Sequence, residues 1–400
     1  MKLCDITLAY NESSGGIRTY IDEKRRYLRE HTEHDHLLII PGDQDRTHRD
    51  GRLTTVQIES PLMPGQDTYR YFIRPHKIRE VLLEHRPEVI ELGSYYLEAW
   101  GAISARKKLR EEGADCVMGC YFHTDVAEAY VAAPLRTMAR DWLPDGDSVW
   151  ASLGDRISEV AAAGIERYIG AVFENCDYAF APSDAQAARL KEYGVEDVQV
   201  VHLGVDLETF HPRQRNDETR ASLGAGPDNL VLIFAGRLSQ EKRVLTLLET
   251  LDRLPKDLGA ILCLVGHGPL RDEVEARAQD RPDLCLLPFQ ADKMDLARLL
   301  ASADVYVSAG PHETFGLSVI EAQACGLPVV GVEAGALCDR VPPDLGALGA
   351  VDDVAAMADN IVSVAAQREA MGRAARRHVE DTFSWTRTVR TLLDRYTSAG

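Results

Sequence analysis

The 400-residue chain lacks an excess of positive charge. Its 45 lysines and arginines face 63 aspartates and glutamates, giving a formal net charge of −18 and a pI near 5.1. A nucleic-acid binder that relies on overall basic charge is excluded by that balance. No apolar run approaches the ~20 residues that a membrane-spanning helix needs. The opening MKLCDITLAY has one lysine and then a short apolar run broken by Asp5, too short and too polar for a secretory signal. The 8 cysteines, at 4, 116, 120, 176, 263, 285, 325 and 338, contain no C-x-x-C pair, and most sit in apolar runs such as ILCLVG and EAQACG. That spacing argues against a disulfide scaffold or a thiolate metal site and predicts reduced core thiols. There is no short-period repeat and no low-complexity segment. A G-x-G-x-x-G after the first strand is also missing, which counts against a dinucleotide oxidoreductase. Together these absences predict a soluble, cytoplasmic protein.

What is present is ordinary globular material, 45% hydrophobic and 27% charged. At roughly 150 residues per domain the length predicts two or three domains, with two favoured. Short β-rich runs alternate with longer helical ones. Strands are predicted at Lys2–Leu8, His36–Ile40, Thr54–Ile58, Glu88–Leu92, Asp115–Gly119, Tyr178–Ala181 and Val198–Val201. Helices are predicted near Ile17–Glu30, Tyr69–His85, Leu97–Glu112 and Leu153–Phe173. The alternation restarts with strands at Leu230–Ala235, Ala260–Val265, Leu284–Leu287, Val305–Ser308 and Pro328–Val332. Between them lie helices near Gln240–Leu254, Pro269–Ala278, Lys293–Ala301 and Gly316–Cys325. These strands are nearly pure Val, Ile and Leu, as strands buried on both faces are. Residues 205–228 are polar, carry no strand signal and read as a linker. The fold class is therefore α/β, with two Rossmann-like doubly wound domains facing across a cleft. In such sheets ligands sit at the carboxyl ends of the strands.

The densest signal is HETFGLSVIEAQACGLPVVG at 312–331. It reads as a loop, Gly310–Phe315, opening a helix at Gly316. Free backbone N–H groups at Phe315, Gly316 and Leu317 would form an anion site. Glu313 in the loop and Glu321 about a turn and a half into the helix can each accept two hydroxyl hydrogen bonds, Glu321 from a ribose and Glu313 from a sugar. Two glutamates alone are more often a surface loop and an exposed helix face; the full string shifts the balance. FAGRLSQEKR (234–243) places Arg237 and Lys242 after a buried strand, where two cations can hold a diphosphate and stabilise its departing charge. Solvated side chains on a helix edge are the plainer reading. LVGHGPL (264–270) is a strand, then Gly266-x-Gly268-Pro269, then a helix, either a glycine turn that admits a ligand or an ordinary connection.

In the first half, Gly15 and Gly16 open a helix after the first strand, again a place where backbone can meet phosphate. His123 lies just past a strand end, although a lone histidine is more often structural. YRYFIRPHKIR (69–79) and the run Lys24, Arg25, Arg26, Arg29 leave open an anionic acceptor or peripheral contact with a membrane surface, beside the simpler reading of solvated helix faces. DGD at 145–147 follows WLP rather than a buried strand and reads as a polar loop, not a metal site.

These strings, with VVHLGVDLETFHP at 200–212 and the closing FSW…Y helix, resemble the retaining glycosyltransferases of family four and their two-domain GT-B architecture. The resemblance covers nearly the whole chain, and its second-half strings are highly specific together. It implies an acceptor-side domain at 1–206, with the helix at 383–400 packing back on it, and a donor-binding domain at 207–382. It implies that Glu321 holds the donor ribose, Glu313 contacts the donor sugar, and Arg237 and Lys242 clamp the diphosphate. Phe315, Gly316 and Leu317 would donate backbone hydrogen bonds. Gly15, Gly16 and Gly266 would approach the donor, Phe289 would lie near the base, and His123 would stand by the donor sugar. The sequence departs from the family pattern at Leu203, before the GVD glycine, and at Arg18 after the glycine pair; neither bears on the donor site, and both leave the acceptor side open.

The activity implied is transfer of a hexosyl group from a nucleotide-diphosphate sugar to an acceptor hydroxyl, with retention and without cofactor or metal. UDP-glucose is the first expectation for the donor and GDP-mannose the second. The acceptor is a small molecule, glycan or lipid, and oligomeric state stays open. A nucleotide-sugar epimerase or phosphorylase on the same fold explains the ETFGLSVIEA string less well. A non-catalytic nucleotide-binding module is opposed by the complete charged set.

Overall fold

A strand buried on both faces must pair in parallel through crossover segments that return the chain to the same sheet end. Two such sheets form in the computed structural model, which describes residues 1–11, 15–63, 68–123 and 162–398. One compact unit is Met1–His202 with Trp385–Gly400, and the other is Leu203–Ser384.

Among the described residues the first unit carries eight strands: β1 (Lys2–Ile6), β2 (Asp35–Gly42), β3 (Arg46–Asp50), β4 (Leu53–Glu59), β5 (Val89–Leu92), β6 (Val117–Tyr121), β7 (Tyr178–Ala181) and β8 (Val198–Val200). Their order is β3-β4-β2-β1-β5-β6-β7-β8, and only the β3–β4 pair is antiparallel. The second unit carries β9 (Leu230–Ala235), β10 (Ala260–Val265), β11 (Leu284–Leu287), β12 (Val305–Ser308), β13 (Val329–Val332) and β14 (Gly346–Gly349). All its pairs are parallel, in the order β11-β10-β9-β12-β13-β14. Each sheet starts in its middle and winds both ways, so its order reverses beside the first strand, between β1 and β5 and between β9 and β12. Loops there diverge to opposite faces and leave a crevice at the carboxyl edge.

Several elements differ from the sequence reading, each for a local reason. β3, RTHRD, is exposed throughout, so it shows no apolar alternation; it is held as an edge strand by ladder bonds to β4. β14, GALG, was equally silent: a Cβ at Gly346 would lie 1.9 Å from the Val329 carbonyl, so a small residue is demanded and the β-branched signature is absent. The helix predicted from Tyr69 starts at Pro75, because the residue before a proline is driven out of the helical region. The 205–228 linker holds a 3-10 turn (Pro212–Gln214) and a helix (Asp217–Ser222). Its Arg220 is buried against Asp304 at 2.9 Å, and the half-exposed Arg215 reaches the same carboxylate at 3.1 Å. The Gln240–Leu254 helix is broken into a 3-10 turn, Gln240–Lys242, and a helix, Val244–Arg253, by Arg243 at φ 52°. Of the Leu153–Phe173 helix, residues 162–173 are described and helical, while DGD at 145–147 lies outside the described residues. All eight cysteines are free, but Cys338 is exposed rather than in a core.

The first unit is built around a buried charge cluster. Asp5 of β1 and Glu91 of β5 stand directly opposite each other in register. Lys24, on the buried face of the helix Gly16–His31, bridges them at 2.9 and 2.8 Å. His36 Nε2 is 2.6 Å from Asp5 Oδ2, Tyr20 donates to Glu91 Oε1 at 2.5 Å, and Tyr396 of the helix Trp385–Thr397 donates to Glu91 Oε2. The basic run at 24–29 is therefore split, with Lys24 buried and Arg26 and Arg29 exposed. Burial alone would raise Asp5, but Lys24 and His36 outweigh it and hold its carboxyl well below the ordinary range. Burial pushes Glu91 up. The closing helix is also fixed by Thr388 Oγ1, which donates to the His202 carbonyl at 2.7 Å.

Removing one partner of a buried ion cluster leaves uncompensated charge. Lys24→Met is expected to destabilise the chain by roughly 3–5 kcal/mol at pH 7. Both carboxyl pKa values then rise in the folded state, so the loss shrinks as the pH falls toward about 4, where the unfolded chain protonates them too. Urea denaturation at pH 7 and pH 4 measures both; a pH-independent loss would contradict this account.

Candidate active site

The candidate residues of the second unit meet where its strand order reverses. β9 ends at Ala235 and leads through Arg237 into the 3-10 turn Gln240–Lys242; β12 ends at Ser308 and leads into a loop ending at Gly316. β9 and β12 are neighbours, so the two loops leave the sheet side by side. Lys242 Nζ donates to Glu313 Oε1 at 2.5 Å. A Cβ at Gly310 would lie 3.1 Å from the Glu241 carbonyl and 3.2 Å from Lys242 Cα, which shows how closely the loops run.

Charges of both signs meet at this junction. Burial opposes the charge on Lys242, but the Glu313 carboxylate outweighs it and holds the lysine pKa above its ordinary value, while Arg237 is near enough for its own charge to work against Lys242. Lys242 thus stands among the carboxylates of Glu313 and Glu241 and the charge of Arg237, and its direct bond is to Glu313. Gly316 sits at φ 77° as the cap of the helix Leu317–Ala324 and makes no side-chain cap bond. Among the described residues, the backbone N–H groups of Phe315, Gly316 and Leu317 have no acceptor. Unsatisfied N–H groups at a helix start beside paired cations are suited to an anion.

Glu321 lies one turn further along the same helix. Burial pushes its carboxyl up to about 8, against the pull of Lys293. A carboxyl poised near neutrality can donate as well as accept hydrogen bonds.

Gly266 and Gly268 have a different reason to be glycine from ligand approach. Cβ atoms there would fall 1.9 Å from the Gly236 carbonyl and 2.4 Å from the Leu238 carbonyl. The loop after β10 is folded onto the loop after β9, with Leu238 N–H bonded to the His267 carbonyl at 3.0 Å. Phe289 stands apart, 57% exposed in the loop after β11, two strands from β9.

In the first unit, Gly15 is exposed and caps the helix that begins at Gly16. His123 follows β6, is 7% exposed, and stacks on Tyr121 at 4.2 Å with the Tyr20 ring 4.9 Å away. Burial pushes its pKa down to about 3. The imidazole is neutral at physiological pH, so it can make a hydrogen bond but cannot act as an imidazolium acid.

Sequence reasoning missed Tyr20 and Arg340. Tyr20 had a usable signal, since Tyr20, Lys24 and Leu28 recur at the helical spacing of four and are all buried. Arg340 had none: no local pattern predicts an arginine that is 2% exposed.

Because Glu321 keeps a proton when folded that it loses when unfolded, stability should fall as the pH rises from 4.5 to about 8. The slope from this one group is at most about 1.4 kcal/mol per pH unit. Glu321→Gln should melt higher than wild type at pH 8.5 and converge with it near pH 4.5. Identical pH profiles of Tm would rule the buried proton out.

The family profile described as Glycosyltransferase Family 4 matches residues 14–209, and that described as Glycosyl transferases group 1 matches residues 215–378. A GDP-mannose-dependent alpha-(1-6)-phosphatidylinositol dimannoside mannosyltransferase of Mycobacterium tuberculosis is 30% identical over 401 residues, covering 98% of this chain and 95% of its own. A D-inositol 3-phosphate glycosyltransferase of Saccharomonospora viridis is 36% identical over 54% of this chain and 53% of its own. Among solved structures, sucrose-phosphate synthase from Thermosynechococcus elongatus superposes with TM-score 0.76 at 20% identity, over 100% of this chain and 99% of its own. The structure of Anabaena HepE in complex with UDP gives 0.71 at 17% identity over the full length of both chains. At those identities the likeness speaks to fold, and the fold is GT-B. With a relative at 30% identity across almost the entire length, and with both halves matching their profiles, the chain belongs to glycosyltransferase family 4.

Proposed function

We propose that the enzyme moves a hexosyl group from a nucleotide-diphosphate sugar to an acceptor hydroxyl, with retention of configuration and without a metal ion. The observation that carries this reading is the junction of Arg237, Lys242 and Glu313 with the unsatisfied N–H groups of Phe315, Gly316 and Leu317. When the bond between the anomeric carbon and the diphosphate oxygen breaks, negative charge grows on the leaving group. Fixed cations and oriented N–H groups stabilise that charge in the transition state more than in the ground state. Arg237 and Lys242 are the diphosphate clamp, Glu313 orients a sugar hydroxyl, and Glu321 takes the ribose hydroxyls. His123, held neutral, offers a hydrogen bond to the sugar. Gly15 and Gly16 admit the diphosphate, the Gly266 turn holds the clamp loop in place, and Phe289 gives an exposed ring near the base.

The relative that spans nearly the whole chain is named for GDP-mannose, which supports GDP-mannose over the UDP-glucose that family resemblance alone favours. The printed names of both relatives contain an inositol phosphate, which supports an inositol-phosphate hydroxyl as acceptor, free or in a lipid. Among the described residues no helix is long and apolar enough to cross a membrane. We take the site of action to be the cytoplasm, with contact at the membrane face where the acceptor is a lipid.

Melting the protein with GDP, UDP, ADP and NADH at one saturating concentration tests the donor. A ligand at 100 times its Kd adds about 2.7 kcal/mol; the shift is expected with GDP and not with NADH. Lys242→Ala, Arg237→Ala and Glu313→Ala should each lower transfer by about 10²–10³-fold, with unchanged rates in EDTA. Wild-type rates in a folded Lys242→Ala enzyme would remove the clamp, and an NADH-only shift would remove the reading.

A further inference from the structure

The loop that opens the helix Leu317–Ala324 is not held by that helix alone. Arg340, from the short helix Leu337–Arg340, is 2% exposed. Its Nε–H donates to the Phe315 carbonyl at 3.1 Å. Its guanidinium carbon lies 4.4 Å from the Phe315 ring centroid and 4.8 Å from that of Phe383, and the two rings meet edge to face at 5.9 Å and 87°. The arginine backbone is fixed too: Gln323 Nε2 donates to its carbonyl at 2.7 Å, and its own N–H bonds the Ala336 carbonyl at 3.1 Å. Ala336 N–H in turn bonds the Glu313 carbonyl at 2.8 Å. Glu313, Phe315 and Arg340 therefore form one closed set of contacts.

Phe383 gives this set a second end. It terminates the helix Val354–Thr382, and its carbonyl accepts from Val205 N–H at 3.4 Å, while Ser384 bridges in parallel to Val205. The chain passes from one unit to the other at residues 202–203 and again at 384–385. Both passages thus begin where Phe383 packs on Arg340.

We propose that Arg340 is the positioning residue of the donor loop and couples occupancy of that loop to the paired crossing segments at Val205 and Ser384. A guanidinium suits this place because its spread charge can meet two aromatic rings at once while Nε–H still donates to a carbonyl. Charge spread over a weakly hydrated group tolerates burial that an ammonium would not. An anion drawing the N–H groups of Phe315 and Gly316 toward itself would pull on the Phe315 carbonyl bonded to Nε, and the contact of the guanidinium with both rings carries that pull to Phe383. This inference rests on the reading of the 313–317 loop as the nucleotide-sugar site.

The test compares wild type with Arg340→Met, which keeps length and burial but loses the donor and the charge, and with Phe383→Leu, which keeps Arg340 and removes one of its two aromatic partners. Leu251→Ala, a core truncation at the far end of the helix Val244–Arg253, is the stability control. Calorimetric titration with GDP and UDP gives affinity, and hydrogen exchange of peptides spanning 203–206 and 382–386, with and without saturating nucleotide, gives the coupling. The expected result is at least tenfold weaker nucleotide binding in Arg340→Met with little change in Leu251→Ala. Nucleotide should slow exchange at 203–206 in wild type and fail to do so in Arg340→Met and Phe383→Leu. Wild-type affinity in Arg340→Met, or unchanged protection at 203–206 in both variants, overturns the proposal. Absence of nucleotide binding by wild type itself overturns the donor-site reading, and the proposal falls with it.

Discussion

A parallel sheet that begins in its middle and winds outward in both directions leaves one place at its carboxyl edge that no crossover covers. That constraint sets the chemistry of the second unit. The loops after β9 and β12 emerge on either side of the gap, and Lys242 and Glu313, far apart in sequence, come within 2.5 Å there. Because a half-buried pair gives back in Coulomb attraction about what it loses in hydration, its worth lies in geometry more than in stability. The lysine is held charged and aimed before any ligand arrives. Such preorganisation lets a fixed charge act on a transition state without a reorganisation cost.

The same constraint operates in the first unit with a different filling. At the β1–β5 reversal, Asp5 and Glu91 face each other, and Lys24 with Tyr20 and Tyr396 satisfies them. Buried carboxylates side by side are tolerable only with a cation between them and hydroxyls on the remaining lone pairs. The cluster also reaches His123, since the Tyr20 ring packs on that imidazole while its hydroxyl is anchored on Glu91.

How much of this could be read from the chain depended on whether the cause was local. Runs such as LVLIFA and AILCLV announce doubly buried strands, because burial on both faces leaves composition no alternative. Arg237, Lys242, Glu313 and Glu321 stood out through the strings that resemble a known family, and of these the structure brings Lys242 and Glu313 within 2.5 Å. β3 and β14 were illegible, one held by an edge ladder and the other by a steric need for glycine. Arg340 was illegible because its two rings come from Phe315 and Phe383, which only the tertiary fold assembles. The glycines at 266 and 268 were visible, but their reason was not: backbone from another loop fills the space.

The closing helix Trp385–Thr397 belongs to the unit that begins at Met1. During synthesis the ribosome delivers β1, β5 and Lys24 early, yet the hydroxyl of Tyr396 that completes Glu91 is delivered almost last. A Cβ at Gly119 would sit 2.8 Å from that hydroxyl, so the early strands keep a vacant slot for it. Domains ordinarily fold in the order they are made. Here the first unit is completed only by a helix made after the second, so its last contacts come from residues on the far side of a complete intervening domain.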